Sequence, residues 1–502
     1  MLTLNSNNGD KNMSIMKEEI EKILVKIENI INTEIEKKNY DFALSQISIC
    51  ANILYQTNIC YVDVGLEHAL ERIARELEFN KFVKTKEDLD DDIVLFWDGF
   101  GLNDRGLAQI YIKALCKFKK VIYVTYADRK DNIPDILDIL SKYHAEKIFV
   151  NRSQKSIVAR IQQLNSFLEK TKPGHVFFYS TPDDVVATPL MFAYKGLIVR
   201  YQINLTDHAF WLGASCIDQC IEFRDYGAKI SKEYRGINEK QIRVIPFYPM
   251  VHYGRKFEGY PFAVKDDQKV IFSGGALYKT IGADNKYYEM LEYILKKYPN
   301  VIFWYAGSGN TIELEKIIKK YPDRVYFTEE RSDLFQILKH CDMYLSTYPM
   351  CGGLMIQYAA MAGKVPVTLK YNEISDGFLL NQHDKQIEFT DLKDLYAEVD
   401  KLLTDKSYSQ KRGNLMKKSV IDPEVFEEEV RKIVFGEESN QYRVRYEHID
   451  TQKFRDWYLD KMTIAEFNAM LIRKHNIKFV IKYFPFRFLR GGIYLIKKKI
   501  SI

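Results

Sequence analysis

The segment from Val270 to Val367 constrains the fold of this chain more than any other. It contains the apolar runs VIF, VIFWYA and MYL, which end in Gly, Ser or Thr and are followed by amphipathic helical stretches. Continuous apolar runs are typical of strands buried in a parallel sheet, and parallel strands need helical crossovers between them. The pattern therefore predicts a parallel sheet whose polar loops gather at one edge, where open α/β sheets bind ligands.

A second α/β unit precedes this segment. Apolar runs of strand length occur at 93–97, 121–126, 147–151, 175–180, 197–204, 220–224 and 242–247, and helical stretches separate several of them. A chain of 502 residues is too long for one core, so two large domains are expected. We predict a helical N-terminal extension (1–90), a Rossmann-like domain (91–250), a linker (251–268), a second Rossmann-like domain (269–420) and C-terminal helices with a basic tail (421–502).

The tail has the most uneven charge in the chain. Residues 472–502 include nine Lys or Arg and no Asp or Glu, interleaved with Phe, Tyr, Ile and Leu. Such a composition suits the surface of an anionic membrane. A basic face packed on the protein and an RNA-binding tail are the alternatives, but nothing else in the sequence indicates a nucleic-acid partner.

Cysteine use and hydropathy indicate where the chain resides. The seven cysteines form no C-x-x-C pair and have no metal-ligand spacing, so we expect reduced thiols and no bound metal. The first residues lack the apolar core of a signal peptide, and no uncharged apolar run reaches membrane-spanning length. A cytoplasmic protein, peripheral on the inner face of the cell membrane, is predicted.

Four motifs in the second unit resemble the donor-binding half of glycosyltransferases with the GT-B fold. They are a glycine turn followed by a lysine (Gly274, Gly275, Lys279), a strand ending in Gly307-Ser308-Gly309, a strand before Pro349 and Gly352-Gly353, and the small-residue helix 359–362 that leads to Pro366. The string SGGALYK resembles the lysine-bearing loop of the O-GlcNAc transferase group, including its bacterial relatives. The resemblance implies two Rossmann-like domains facing across a cleft.

The resemblance also implies a nucleotide-sugar site. Lys279 and the helix opened by Gly352 and Gly353 would hold the diphosphate, so no metal cofactor is expected. Cys351 and Ala359 stand where many relatives have acidic residues, which leaves Gln357 or Tyr348 as candidates for the ribose. The predicted donor residues are Gly274, Gly275, Lys279, Gly307, Phe327, Arg331, Tyr348, Gly352, Gly353 and Gln357.

Two segments of the first unit are predicted to face the same cleft. Asp207 and His208 follow an apolar strand, and a carboxylate beside an imidazole can act as a general base, although a helix cap is the simpler alternative. The loop after the first strand contains Gly99, Gly101 and Arg105, which would lie against the donor or the acceptor.

The predicted function is transfer of a sugar, from a UDP-linked or similar donor, to a hydroxyl on a surface glycan or lipid-linked oligosaccharide. A protein glycosyltransferase, a non-catalytic GT-B partner of a glycosyltransferase and, less favoured, a nucleotide-sugar epimerase are the alternatives. The helical N-terminus or the aromatic tail could each form a homo-oligomer.

Overall fold

The computed structural model describes residues 4–81, 83–103, 106–251, 254–371, 374, 376–438, 444–460, 462–475 and 477–500. Arg105, predicted above as a cleft residue, lies outside this part of the chain. Two parallel sheets with interleaved helices form the body of the protein, and the predicted α/β class with two Rossmann-like units is confirmed.

The chain begins with three helices, α1 (Leu4–Glu36), α2 (Tyr40–Thr57) and α3 (Val64–Glu76). The first sheet follows, with β1 (Asp90–Asp98), β2 (Lys120–Tyr126), β3 (Glu146–Val150), β4 (Pro173–Tyr179), β5 (Val199–Ile203), β6 (Gln219–Glu222) and β7 (Ile242–Val244). Its helices are α4 (Leu107–Leu115), α5 (Pro134–Lys142), α6 (Ile157–Thr171), α7 (Thr188–Ala193) and α8 (Asp225–Glu233). The strand order is β3-β2-β1-β4-β5-β6-β7.

The second sheet contains β8 (Lys269–Ala276), β9 (Val301–Ser308), β10 (Val325–Thr328), β11 (Met343–Leu345), β12 (Pro366–Leu369) and β13 (Glu388–Phe389). Its helices are α9 (Lys286–Lys297), α10 (Ile312–Lys320), α11 (Leu334–His340), α12 (Gly353–Met361), α13 (Leu392–Thr404) and α14 (Lys406–Lys417). The strand order is β10-β9-β8-β11-β12-β13, and every described pair is parallel.

Strand order locates the binding edge of each sheet. The chain winds outward in one direction from β1 and in the other from β4, and it does the same from β8 and β11. Loops that leave neighbouring strands on opposite sides open a crevice at the carboxyl ends of those strands. The loop after β8 and the loop after β11 therefore meet at the switch point of the second sheet.

The C-terminal segment returns to the first domain as five helices, α15 (Pro423–Val434), α16 (Gln452–Asp460), α17 (Ile464–Lys474), α18 (Ile477–Tyr483) and α19 (Pro485–Ile500). On α15, Phe426 packs edge-on against Tyr111 of α4 with ring centroids 5.0 Å apart. Near α18, Tyr483 accepts a hydrogen bond at its carbonyl from Lys26 Nζ of α1 at 2.5 Å. The two ends of the chain thus share one core with the first sheet. Within the described residues, no helix is long and apolar enough to cross a bilayer.

Candidate functional site

A cavity of about 510 Å³ lies between the two sheets, at the switch point of the second. One wall consists of the carboxyl end of β8, the turn that follows it and the start of α12. The other wall consists of the loop after β5 together with Phe223 and Arg224. Seven of the residues predicted from the sequence line it, namely Asp207, His208, Gly274, Gly275, Lys279, Gly352 and Gly353. Tyr55 of α2 also contributes, so the N-terminal extension is part of the site.

The carboxyl end of β8 exposes its backbone to the cavity. Gly275 has φ +116°, a conformation that favours glycine, and a Cβ placed there would meet no described atom within 4 Å. A short 3₁₀ turn at Leu277–Thr280 then positions Lys279, whose carbonyl accepts a hydrogen bond from Met350 N–H at 3.3 Å. This bond joins the loop after β8 to the loop after β11.

The lysine and the start of α12 lie side by side. Gly352 is the N-cap of α12, and no described side chain caps the helix. The Lys279 ammonium lies 3.8 Å from the position that a Cβ on Gly352 would occupy. The first N–H groups of a helix have no partner inside it and carry partial positive charge. A cation beside such a terminus forms a site suited to an anion.

On the opposite wall, the carboxylate of Asp207 is in contact with two basic side chains, Arg224 and His208. Arg224 Nε donates to Asp207 Oδ2 at 2.5 Å and Arg224 Nη2 donates to Oδ1 at 3.1 Å, while His208 Nδ1 lies 3.2 Å from Oδ1. Burial alone would raise the pKa of Asp207, but the Arg224 charge and the hydrogen bonds from His208 and Arg224 outweigh burial and lower that pKa to about 2. The carboxylate is therefore ionised at neutral pH.

His208 is held as a neutral imidazole. Desolvation lowers its pKa, the Arg224 and Lys279 charges act in the same direction, and the opposing attraction of Asp207 is too weak to reverse the shift. Because Asp207 is ionised, it fixes the proton on Nδ1 and leaves Nε2 as an acceptor. Rings of Phe454 and Tyr458 from α16 lie 6.1 and 6.2 Å from the imidazole.

Arg224 also ties the two domains together, a role that its polar neighbourhood in the sequence did not reveal. Its Nη1 donates to the carbonyls of Ile374 at 2.6 Å and Asp376 at 3.0 Å, both in the segment after β12. The guanidinium carbon lies 4.1 Å from the centroid of the Phe378 ring. Only the approach of the second domain supplies these partners, so no local sequence signal could have identified them.

The structure places the two ribose candidates away from the cavity wall. Gln357 is buried and its Nε2 donates to the carbonyls of Phe247 at 2.8 Å and Phe378 at 3.1 Å. Tyr348 is buried with its ring edge-on to Tyr371. Neither lines the 510 Å³ cavity. In this conformation, Gln357 secures the chain that leaves β7 against α12.

Gly307 and the glycines after β1 have packing reasons of their own. A Cβ on Gly307 would lie 1.9 Å from the Gly275 carbonyl oxygen, and one on Gly101 would lie 2.6 Å from the Arg129 side chain. A Cβ on Gly99 would come within 3.1 Å of Asp184 Oδ2. None of these three glycines lines either of the two interdomain cavities.

The second interdomain cavity, of about 370 Å³, shares Leu354 with the first and is lined by Arg331, Arg255 and Tyr358 among others. Arg331 donates to both carboxylate oxygens of Asp333 at 2.8 Å. Asp333 occupies the N-cap position of α11, but its side chain makes no capping hydrogen bond. Its carboxylate instead accepts a hydrogen bond from the linker N–H of Glu258 at 2.9 Å. Phe327 is half-buried beside Tyr305 on the neighbouring strand.

Cys351 and Ala359, which stand where the resemblance implies acidic residues, differ in whether they line the cavity. Cys351 lines the 510 Å³ cavity, and burial raises the pKa of its thiol to about 12, so it is protonated and a poor nucleophile. Ala359 is completely buried. Within the described residues no cluster of three or more His, Cys, Asp or Glu could hold a metal ion.

The sequence matches none of the protein-family models and no curated protein significantly. Solved structures do match. A glycosyltransferase from Rickettsia africae aligns with TM-score 0.52 at 11% identity, over 68% of this chain and 98% of its own. A mutant O-GlcNAc transferase of Thermobaculum terrenum aligns with TM-score 0.50 at 11% identity, over 90% of this chain and 89% of its own. This chain has the GT-B fold.

The alignment confirms the fold implied by the four sequence motifs. In GT-B terms, the first sheet belongs to the N-terminal domain, the second belongs to the C-terminal domain, and the 510 Å³ cavity lies in the cleft between them. At 11% identity this likeness shows the fold alone, since one fold hosts many unrelated activities.

Proposed function

We propose that this GT-B protein is a glycosyltransferase that moves a sugar from a nucleoside diphosphate sugar, UDP-linked, to a hydroxyl acceptor. The observation that supports the proposal is that a lysine beside a helix N-terminus and a carboxylate–imidazole pair lie on opposite walls of one cavity. Lys279 and the start of α12 form the first, and His208 with Asp207 forms the second. A volume of about 510 Å³ is within the range of small-molecule sites.

The donor diphosphate would lie against Lys279 and the N–H groups at the start of α12. As the bond between the anomeric carbon and the diphosphate oxygen breaks, negative charge grows on that oxygen. A fixed cation and a helix N-terminus stabilise such charge without a metal ion. The open backbone of Gly275 leaves room for the sugar or its phosphate to approach the loop.

The acceptor hydroxyl would bind near His208. Its oxygen attacks the anomeric carbon, its proton passes to His208 Nε2, and Asp207 stabilises the imidazolium through Nδ1. The neutral state of His208 and the ionised state of Asp207 are the states this step requires. This sequence of events applies to a reaction that inverts the anomeric configuration.

For the acceptor we propose a surface glycan or lipid-linked oligosaccharide, with a protein acceptor as the alternative. The T. terrenum protein that aligns over 90% of this chain is an O-GlcNAc transferase, which favours keeping the protein acceptor as the alternative. A non-catalytic GT-B partner of a glycosyltransferase is a further alternative, and such a protein would release no UDP from a UDP-sugar.

The test is a titration of the full chain with UDP, GDP, CMP and ADP by calorimetry, repeated on Lys279→Ala and His208→Ala. A charge-assisted contact to phosphate contributes about 1.5–3 kcal/mol, so Lys279→Ala should weaken UDP binding roughly 10- to 150-fold. His208→Ala should keep UDP affinity within about threefold and abolish release of UDP from a UDP-sugar in the presence of acceptor.

Lys316→Ala is the matched control, since Lys316 lies on α10 with its side chain 63% exposed. UDP binding should be unchanged in this variant. If none of the four nucleotides binds, or if Lys279→Ala and Lys316→Ala bind UDP equally well, the proposed donor site is wrong.

A further inference from the structure

The last two helices carry an apolar stripe that the rest of the chain leaves open. On α19, Phe486, Leu489, Ile493 and Ile496 follow one another at helical spacing and are 78%, 60%, 55% and 62% exposed. On α18, Ile477 and Ile481 lie one turn apart and are about half exposed. We call these six side chains the tail stripe. Large aliphatic side chains are seldom exposed in such a row without a function.

The tail stripe is set in a strongly basic surface. Arg490 and Lys497 lie within 120° of the stripe when α19 is drawn as a helical wheel, and both are exposed. Lys478 and Lys482 are exposed on α18. The sequence from 472 to 502 contains nine Lys or Arg and no Asp or Glu.

The other face of α19 is fixed to the body of the protein. A Cβ on Gly491 would lie 2.7 Å from the backbone of Asn468, so α19 packs closely on α17 at this point. Tyr494 donates to Glu466 Oε1 at 3.0 Å, and Arg487 pairs with Glu19 of α1. Because both contacts hold the inner face, the tail stripe is presented outward on a rigid support.

We infer that α18 and α19 form a docking surface for an anionic lipid bilayer, lying parallel to the membrane with the tail stripe inserted. A basic amphipathic helix with Phe, Leu and Ile on its apolar face is the pattern of an interfacial helix. A second copy of the same surface would repel the first, since each carries only cations. A nucleic acid would pair with the cations but would leave the aliphatic stripe in water. An anionic bilayer satisfies both, because its acyl chains receive the tail stripe and its headgroups pair with the cations.

This inference does not depend on glycosyl transfer. It concerns where the protein is held, and it can be tested with the full chain in the absence of any nucleotide.

The experiment is vesicle flotation of the full chain with pure phosphatidylcholine and with phosphatidylcholine containing 30% phosphatidylglycerol. Binding to the anionic vesicles should be strong and should weaken in 0.5 M salt, while binding to neutral vesicles should be at least about tenfold weaker. Leu489→Glu with Ile493→Glu should reduce the partition coefficient at least about 100-fold, because it removes two inserted side chains and adds two like charges.

Arg490→Gln with Lys497→Gln should reduce the partition coefficient about 25-fold, from a factor of about five per cation. Ile312→Glu is the matched control, because Ile312 is 57% exposed on α10 and lies outside the tail stripe. All variants change exposed residues, and unchanged circular dichroism melting would show that each is folded.

Three results would overturn the inference. The first is failure of the wild-type chain to float with anionic vesicles. The second is equal flotation of Leu489→Glu/Ile493→Glu and Ile312→Glu. The third is a dimer, observed by sedimentation, that the stripe substitutions dissociate while flotation is unaffected. Binding to RNA in place of vesicles would likewise assign the surface to a different ligand.

Discussion

The ion pair between Arg224 and Asp207 should make a large contribution to stability, and Arg224→Met tests it. The two side chains are 2% and 1% exposed and share hydrogen bonds of 2.5 and 3.1 Å. Removing one partner of a buried pair leaves an uncompensated charge and costs about 3–5 kcal/mol. Met is chosen because it keeps an unbranched apolar chain beside Phe378.

A matched exposed arginine sets the scale. Arg431 on α15 pairs with Glu428 and Glu437, but its side chain is 34% exposed and theirs are 48% and 47% exposed. Exposed pairs contribute at most about 1 kcal/mol. Arg431→Met should therefore change the unfolding free energy several-fold less than Arg224→Met.

The assay is urea unfolding followed by tryptophan fluorescence and far-UV circular dichroism. The two domains need not unfold together, so each resolved transition is fitted with its own midpoint and m value. The double variant Asp207→Asn/Arg224→Met removes the stranded charge and should be more stable than Arg224→Met alone. Equal losses for Arg224→Met and Arg431→Met, or no recovery in the double variant, would refute the reasoning.

Three further predictions follow from single residues. Below pH 6.5 kcat/KM should fall as His208 becomes protonated at its lowered pKa. Arg224→Met should move this fall to higher pH, because it removes a positive charge that lowers the pKa of His208. A fall at the same pH in the variant would contradict the assignment of His208 as the base. Gly307→Ala should destabilise the second domain by more than about 3 kcal/mol, because the new Cβ would overlap the Gly275 carbonyl oxygen. Gly492→Ala is the control and should be neutral or stabilising, because a Cβ there would meet no described atom within 4 Å. Equal urea midpoints for the two variants would disprove the predicted overlap at Gly307. Burial lowers the pKa of His475 to about 4, and neither of its ring nitrogens has a hydrogen-bond partner among the described residues. Between pH 6.5 and 4 the unfolded chain therefore binds a proton that the folded chain does not, and the free energy of unfolding should fall by roughly 2–3 kcal/mol as the pH is lowered through this range. His475→Leu should flatten this pH dependence, and an equal loss of stability in the variant would count against the prediction.

The sequence by itself determined the fold. Apolar runs such as VIFWYA are long enough for buried strands, and the helical stretches between them leave a parallel sheet as the natural arrangement. The glycine turn with Lys279 and the Gly352-Gly353 helix start were also recognisable, because both rely on local backbone geometry at strand ends. Their convergence followed from topology, since parallel strands deliver their loops to one edge.

Only the tertiary structure decided the details of the cleft. The amide of Gln357 could bind a ribose by its chemistry, yet in the structure it donates a hydrogen bond to the carbonyl of Phe247 in the chain after β7. Arg224 gains its interdomain role from carbonyls about 150 positions away, which no local pattern encodes. The basic tail reads as amphipathic in sequence, but its packing on α17 and α1 determines which side chains face outward. Burial and long-range contacts set these roles, and both arise only once the domains and the two chain ends have come together.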